Sequence, residues 1–317
     1  MSNPISYILF YRIMLHLCSI KINKEMYRKD FIKKTILTIT AALAAPQMLN
    51  ALNVRTKYSN YDNLVKDTIF NTLNIKKDTI MNKVIHKAES RGYANHGWLN
   101  SHHTFSFANY HNPERMNFGV LRVLNDDRVD PGQGFGTHPH DNMEIISIPL
   151  EGDLEHKDSM GNTAVIKEGD VQVMSAGTGV YHSEYNKRQD KEVKFLQIWV
   201  FPNKKNVTPR YDQISIRDIE KDNEFYQVVS PNKEDNGAWI NQDAWFSIGK
   251  FNKGNSEEYK IKKSGNGVYA FVLEGEVEID GEKFSKRDGV GTWDTASINV
   301  KASSDARVLL MDVPMTL

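Results

Sequence analysis

Cysteine is almost absent from this chain. Cys18 is the only one among 317 residues, so no disulfide can close within the chain and no paired-thiolate zinc or redox motif exists. Any metal chemistry must therefore rest on histidine and carboxylate. A charge excess is also missing, because Lys+Arg and Asp+Glu each number 40 and the formal net charge is zero. Affinity for a phosphate backbone is carried by basic residues, so direct nucleic-acid binding is not expected. No apolar run approaches the roughly 20 residues that cross a bilayer, so no stable membrane span is expected either. What remains is ordinary globular composition, 40% hydrophobic and 25% charged, which excludes a disordered or collagenous chain. At roughly 150 residues per domain the length predicts about two domains.

The N-terminus differs in texture from the rest. Residues 1–25 read as preceding the true start, which is inferred to be Met26. After it, a basic stretch (Arg28, Lys29, Lys33, Lys34) precedes an apolar run from Thr35 to Ala45, and small-residue sites follow at Ala42-Leu43-Ala44 and Leu49-Asn50-Ala51. Charged, apolar and small-residue regions in that order form a secretory signal. Arg28-Lys29-Asp30-Phe31-Ile32-Lys33 resembles the twin-arginine export motif, with Lys29 where a second arginine is usual. The expectation is a signal-like segment over 1–51 and an exported, periplasmic protein, with cytoplasmic residence as the alternative. Residues 52–85 are polar and mixed, and read as a linker.

From about residue 86 the chain becomes a series of short β-rich runs, such as Met143–Leu150, Asp170–Ser175, Val193–Phe201, Gly267–Leu273 and Ala306–Val313. Gly152-Asp153, Asp280-Gly281 and Asp288-Gly289 supply hairpin-like turns between runs. Many short strands at such spacing predict an all-β sandwich or barrel. A polar stretch, 203–236, divides one β block over 86–202 from another over 237–317 and reads as an inter-domain connection. The rhythm of GVYAFVLEGEVEIDGEKF in the second block echoes IISIPLEGDLEHKDSMGN in the first, which predicts two similar modules in tandem.

All ten histidines lie at or before position 182, so chemistry is expected in the first module. Gly134-Phe135-Gly136-Thr137-His138-Pro139-His140 leads into one strand, and Gly177-Thr178-Gly179-Val180-Tyr181-His182-Ser183-Glu184 into another. Alternate residues of a strand face one side, so His138 and His140 project together, with Cα atoms about 6–7 Å apart. His182 and Glu184 share a face by the same parity. Two such pairs, each opening from a Gly-rich turn in one β module, predict a metal site. His102, His103 and His111, in an aromatic segment, read as packing or surface residues, and His86, His96 and His156 receive no role. Phe107, Phe118, Phe135 and the tryptophans Trp199, Trp239, Trp245 and Trp293 read as core.

The segments GFGTHPHDNMEIISIPLEG, MSAGTGVYHSEYN and FLQIWVFP, with RGYANHGWLNSHHTFSFANYH before them, resemble the pirin family of the cupin superfamily over roughly residues 86–315. The resemblance implies a bicupin, two stacked jelly-roll sandwiches, with metal in the N-terminal one and none in the C-terminal one. Carried onto matching positions, the ligands are His138, His140, His182 and Glu184. Glu144 is the rival carboxylate, because Gly132, His138, His140 and Glu144 fit the general first cupin motif. It shares parity with the histidine pair but lies about 13 Å along an extended strand from His140. Three histidines and a carboxylate without thiolate suit a divalent first-row ion, here Fe(II), with Mn, Ni, Co, Cu and Zn also compatible.

The family further implies a quercetinase-like dioxygenase that opens a flavonol or related phenolic substrate with O2, Glu184 serving as both ligand and proton acceptor. The alternative is a metal-binding regulatory or interaction protein without turnover. A monomer is expected.

Overall fold

The computed structural model describes residues 81–317. The signal-like segment 1–51 and nearly all of the linker lie outside the described residues. In chain order the strands are β1 (Asn82–His86), β2 (Gly92–Asn95), β3 (Leu99–His103), β4 (Leu121–Val129), β5 (Gly134–His140), β6 (Glu144–Glu151), β7 (Asp153–Asp158), β8 (Thr163–Lys167), β9 (Asp170–Ser175), β10 (Val180–Asn186), β11 (Val193–Val200) and β12 (Arg210–Ser215). They continue as β13 (Phe225–Ser230), β14 (Ala238–Trp239), β15 (Trp245–Phe251), β16 (Ser256–Lys260), β17 (Asn266–Glu274), β18 (Glu276–Ile279), β19 (Glu282–Ser285), β20 (Gly289–Trp293), β21 (Ser297–Ala302) and β22 (Ala306–Pro314). One short 3₁₀ turn, Ala88–Ser90, interrupts them. No helix among the described residues is long and apolar enough to cross a membrane.

Each module is a sandwich of one seven-stranded and one four-stranded sheet. The first pairs β12-β9-β6-β11-β4-β3-β2 with β5-β10-β7-β8, and the second pairs β1-β20-β17-β22-β15-β13-β14 with β16-β21-β18-β19. The seven-stranded sheets meet in a shared core, where Leu124, Ile146, Ile148, Leu196 and Ile198 from the first module join Phe246, Ile248, Phe271, Leu309 and Met311 from the second. Strand parity explains this. In β11, Leu196, Ile198 and Val200 face the other module, while Phe195, Gln197 and Trp199 face the interior of their own sandwich. This is the bicupin arrangement that the resemblance implied.

Two stretches read as connections contain strands. The end of the linker is β1, which crosses to the second module and pairs with β20 at the sheet edge. Within 203–236, β12 pairs antiparallel with β9 of the first module and β13 with β15 of the second. Neither shows in the sequence because both β12 and β1 are edge strands with little alternating apolar pattern. Their partners come from elsewhere in the chain.

The two interiors differ in kind. The second module is filled by one apolar cluster including Phe251, Val268, Val272, Phe284, Val300 and Leu310. The first is split. Leu99, Val129, Leu154, Ile166, Val193 and Phe195 close one end, and Ile145, Met174, Ala176 and Val180 the other. Between them Asn125, Asp127, Ser147, His156, Gln172, His182, Glu184 and Gln197 are all buried. A buried polar group left without a partner costs roughly 1–3 kcal/mol, and Asn125 Oδ1, Gln172 Nε2 and His182 Nε2 have none, so the centre of this sandwich is shaped by function as well as by stability.

Candidate metal centre

Strand β10 stands at the middle of the site. Its neighbours in the four-stranded sheet are β5 and β7, and the register sets His182 opposite both His138 and Asp158. Glu184 lies opposite Phe135 on one side and His156 on the other, after an irregularity in the β5 pairing between His182 and Glu184. The turn before β10 requires glycine. Gly177 has φ 49°, and a Cβ there would fall on the Val207 carbonyl.

The three imidazoles His138, His140 and His182 form a compact trio, with ring centroids 4.4 to 4.9 Å apart and one nitrogen of each within 4.8 Å of the others. His138 Nδ1 lies 2.7 Å from the Gly136 carbonyl oxygen and donates to it, which leaves Nε2 as a lone pair. Nε2 of His140 and Nε2 of His182 are buried with no hydrogen-bond partner in the protein. Buried polar atoms are normally satisfied, and orphaned imidazole nitrogens converging on one point fit a divalent ion. Burial, then the neighbouring imidazoles His182 and His138, pushes His140 down to about 4. Burial followed by His138 and His156 pushes His182 down to about 3. Both are therefore neutral at pH 7, the form in which imidazole is a metal ligand.

Glu184 is buried beside this trio, grouped with His182 and His156 rather than with His138 and His140. The opposite wall of the sandwich holds it: Ser147 Oγ on β6 lies 3.1 Å from Oε1, and Gln197 Nε2 on β11 donates to Oε2 at 2.7 Å. Glu144 sits elsewhere. Its carboxylate accepts from Ser175 Oγ (2.7 Å) and from the Asn241 backbone N–H and side-chain amide at 3.2 and 3.1 Å. It thus faces the second module. Parity with the histidine pair is lost because the chain changes sheets at Asp141–Met143, where Asn142 takes φ 44°.

His156, to which the sequence assigned no role, lies directly behind His182. Its Nδ1 is 3.5 Å from His182 Nδ1, and its Nε2 is 3.0 Å from Asp158 Oδ2. The alternation in Glu155-His156-Lys157-Asp158 was the available signal, since it puts His156 and Asp158 on one face. Trp199 also departs from a simple core role. Its ring stands edge-on to His140 at 4.9 Å, Phe107 packs against it at 5.3 Å, and its indole N–H is buried without an acceptor. His103 packs on Phe107, whereas Phe118 and Phe135 lie in the shared core and against Trp98.

Two fused jelly-roll sandwiches, one solid and one with a buried histidine cluster beside a carboxylate, define a bicupin; among the described residues the candidate metal-binding groups are two trios that share His182, both in the first module. Residues 84–200 match the family model Pirin, and residues 227–313 match the model for the quercetinase C-terminal cupin domain. The chain belongs to the pirin family. It is 44% identical over 230 residues to quercetin 2,3-dioxygenase of Escherichia coli (strain K12), covering 73% of this chain and 98% of that protein. A pirin-like protein of Caulobacter vibrioides is 38% identical over 222 residues, which is 70% of this chain and 95% of that one. Among solved structures, bacterial pirin YhhW from Escherichia coli in complex with nickel(II) superposes with a TM-score of 0.70 at 43% identity, covering 74% of this chain and 99% of that one.

Proposed function

We propose that this protein is a metal-dependent dioxygenase of the quercetinase type, acting with O2 on a flavonol or related phenol. His138, His140, His182 and Glu184 would hold one divalent ion, with Fe(II) as the working metal. The observation that carries this reading is the meeting of three imidazoles, two of them with orphaned buried nitrogens, beside a buried carboxylate. The 44% identity to a quercetin 2,3-dioxygenase and the nickel(II) in the YhhW crystal structure support the reaction class and the divalent charge. Iron is chosen because nitrogen and carboxylate donors suit Fe(II) and the proposed reaction consumes O2.

A bound ion supplies Lewis-acid polarisation of a phenolic hydroxyl. The chain supplies the rest. Glu184, steadied by Ser147 and Gln197, accepts the hydroxyl proton. Trp199 and Phe107 offer aromatic surface beside His140 to a planar substrate. Ile145, Met174, Ala176 and Val180, with Met143 and Met160 against them, keep water from that end of the sandwich. The signal-like sequence of the N-terminal segment supports a location outside the cytoplasm for the proposed reaction, which N-terminal sequencing of periplasmic protein would test.

The test is oxygen uptake by the full chain with Fe(II) and quercetin, run with elemental analysis. Uptake that disappears in Glu184→Ala and His138→Ala is the expected result. Bound metal with no uptake across a panel of flavonols would refute the dioxygenase and favour the metal-binding regulatory reading.

A further inference from the structure

We infer that His156 and Asp158 form a positioning relay that sets the tautomer and orientation of His182, so that its Nε2 presents a lone pair to the metal; this rests on the metal-site reading above. The argument starts at Asp158, which is buried and fixed. Its Oδ1 accepts from the backbone N–H groups of Met160 and Asn162 at 2.9 and 3.0 Å, and its Oδ2 from the Asn162 side-chain amide at 2.8 Å. A carboxylate ringed by donors is an acceptor, so the fourth partner, His156 Nε2 at 3.0 Å, must carry its proton there. A neutral imidazole has one N–H and one lone pair, which leaves His156 Nδ1 as the acceptor. It faces His182 Nδ1 at 3.5 Å, the long end of the hydrogen-bond range, so that nitrogen bears the proton of His182. The remaining nitrogen, His182 Nε2, is the one buried without a partner.

The rings are also held in place. His156 is packed between His182, with centroids 5.3 Å apart, and Tyr211, at 4.8 Å. Tyr211 is itself fixed by donating its hydroxyl proton to Gln213 Oε1 at 2.6 Å. His156 and His182 are 0% and 2% exposed, so water cannot replace the relay. His138 has its own orienting acceptor in the Gly136 carbonyl. His182 has only the His156–Asp158 pair. Outer partners of this kind change metal affinity by roughly 10–100-fold when removed.

Two measurements test the relay. Long-range ¹⁵N–¹H correlation on the metal-free full chain should show His182 protonated on Nδ1 and His156 on Nε2. A His182 protonated on Nε2 would overturn the inference whatever the variants do. Ni(II) titration of the full chain should then show His156→Phe weakened by about 10–100-fold. His156→Gln should stay near wild type, because its carbonyl can accept from His182 and its amide donate to Asp158. His156→Phe binding Ni(II) as tightly as wild type would sink the relay. So would a loss as complete as in His182→Ala, since that would make His156 a ligand. If wild type and His138→Ala bind Ni(II) equally, the metal-site reading itself falls, a result separate from the tautomer measurement.

Discussion

Asp127 offers a direct test of the polar interior. It lies on β4, facing into the first sandwich, and is 4% exposed. Burial pushes its carboxyl up to about 7; the Ser101 hydroxyl opposes this, while the charges of Asp126 and Glu184 add to it. A carboxyl whose folded pKa exceeds its unfolded value near 3.8 stabilises the fold fully below that value. Its contribution is lost as pH rises through the folded pKa. Between about pH 4 and 7 the loss runs at about 1.4 kcal/mol per pH unit, or on the order of 4 kcal/mol in all. Asp127→Asn keeps the shape and cannot ionise, so it escapes that loss. Thermal unfolding of metal-free wild type and Asp127→Asn across this range should show the two curves diverge, the variant gaining relative to wild type as pH rises. At roughly 2–4 °C per kcal/mol for a domain of this size, the change in relative Tm is about 8–16 °C. Comparing the two proteins at each pH cancels the titration of the other groups they share. Parallel curves from about pH 4 to 8 would refute the reasoning, because Asp127 would then be ionised in the fold at no cost.

Glu144→Ala should remove the acceptor for Ser175 and Asn241 and destabilise the protein by about 3 kcal/mol, measured by urea unfolding, while metal content by elemental analysis stays at the wild-type level. Stripping the ion with a chelator should lower Tm by roughly 5–11 °C relative to protein held at about a hundredfold excess over Kd, and His138→Ala should show no such difference. Trp199→Leu should raise KM for the phenolic substrate about 3–10-fold, the worth of one aromatic contact, with kcat changing less, as read from steady-state oxygen uptake.

Much of the fold was legible in the sequence because its signals are local. Short alternating runs punctuated by Gly-Asp and Asp-Gly turns mark strands by their own chemistry, and parity alone puts His138 with His140 and His182 with Glu184. The pairing of these two groups across β5 and β10, and the position of Glu184 against Ser147 and Gln197, depend on sheet register and on the facing wall. Neither of those is written in either strand. The same limit misled the parity argument for Glu144. Spacing continues through Asp141–Met143, but the backbone turns into the other sheet there, and the side chain ends against Asn241. β1 and β12 escaped notice because an edge strand is defined by a partner remote in sequence.

By itself, then, the sequence determined the class of chemistry. With one cysteine, balanced charge and two histidine-bearing glycine turns, it left histidine and carboxylate as the only metal donors, placed in the first of two β modules. Tertiary structure alone decided which nitrogens are free. Hydrogen bonds to the Gly136 carbonyl, to His156 and to Asp158 assign the protons of His138, His182 and His156, and burial keeps the unpartnered Nε2 atoms of His140 and His182 from water. For His182 that selection acts through a neighbouring strand, β7, and exists only once the sheet has formed.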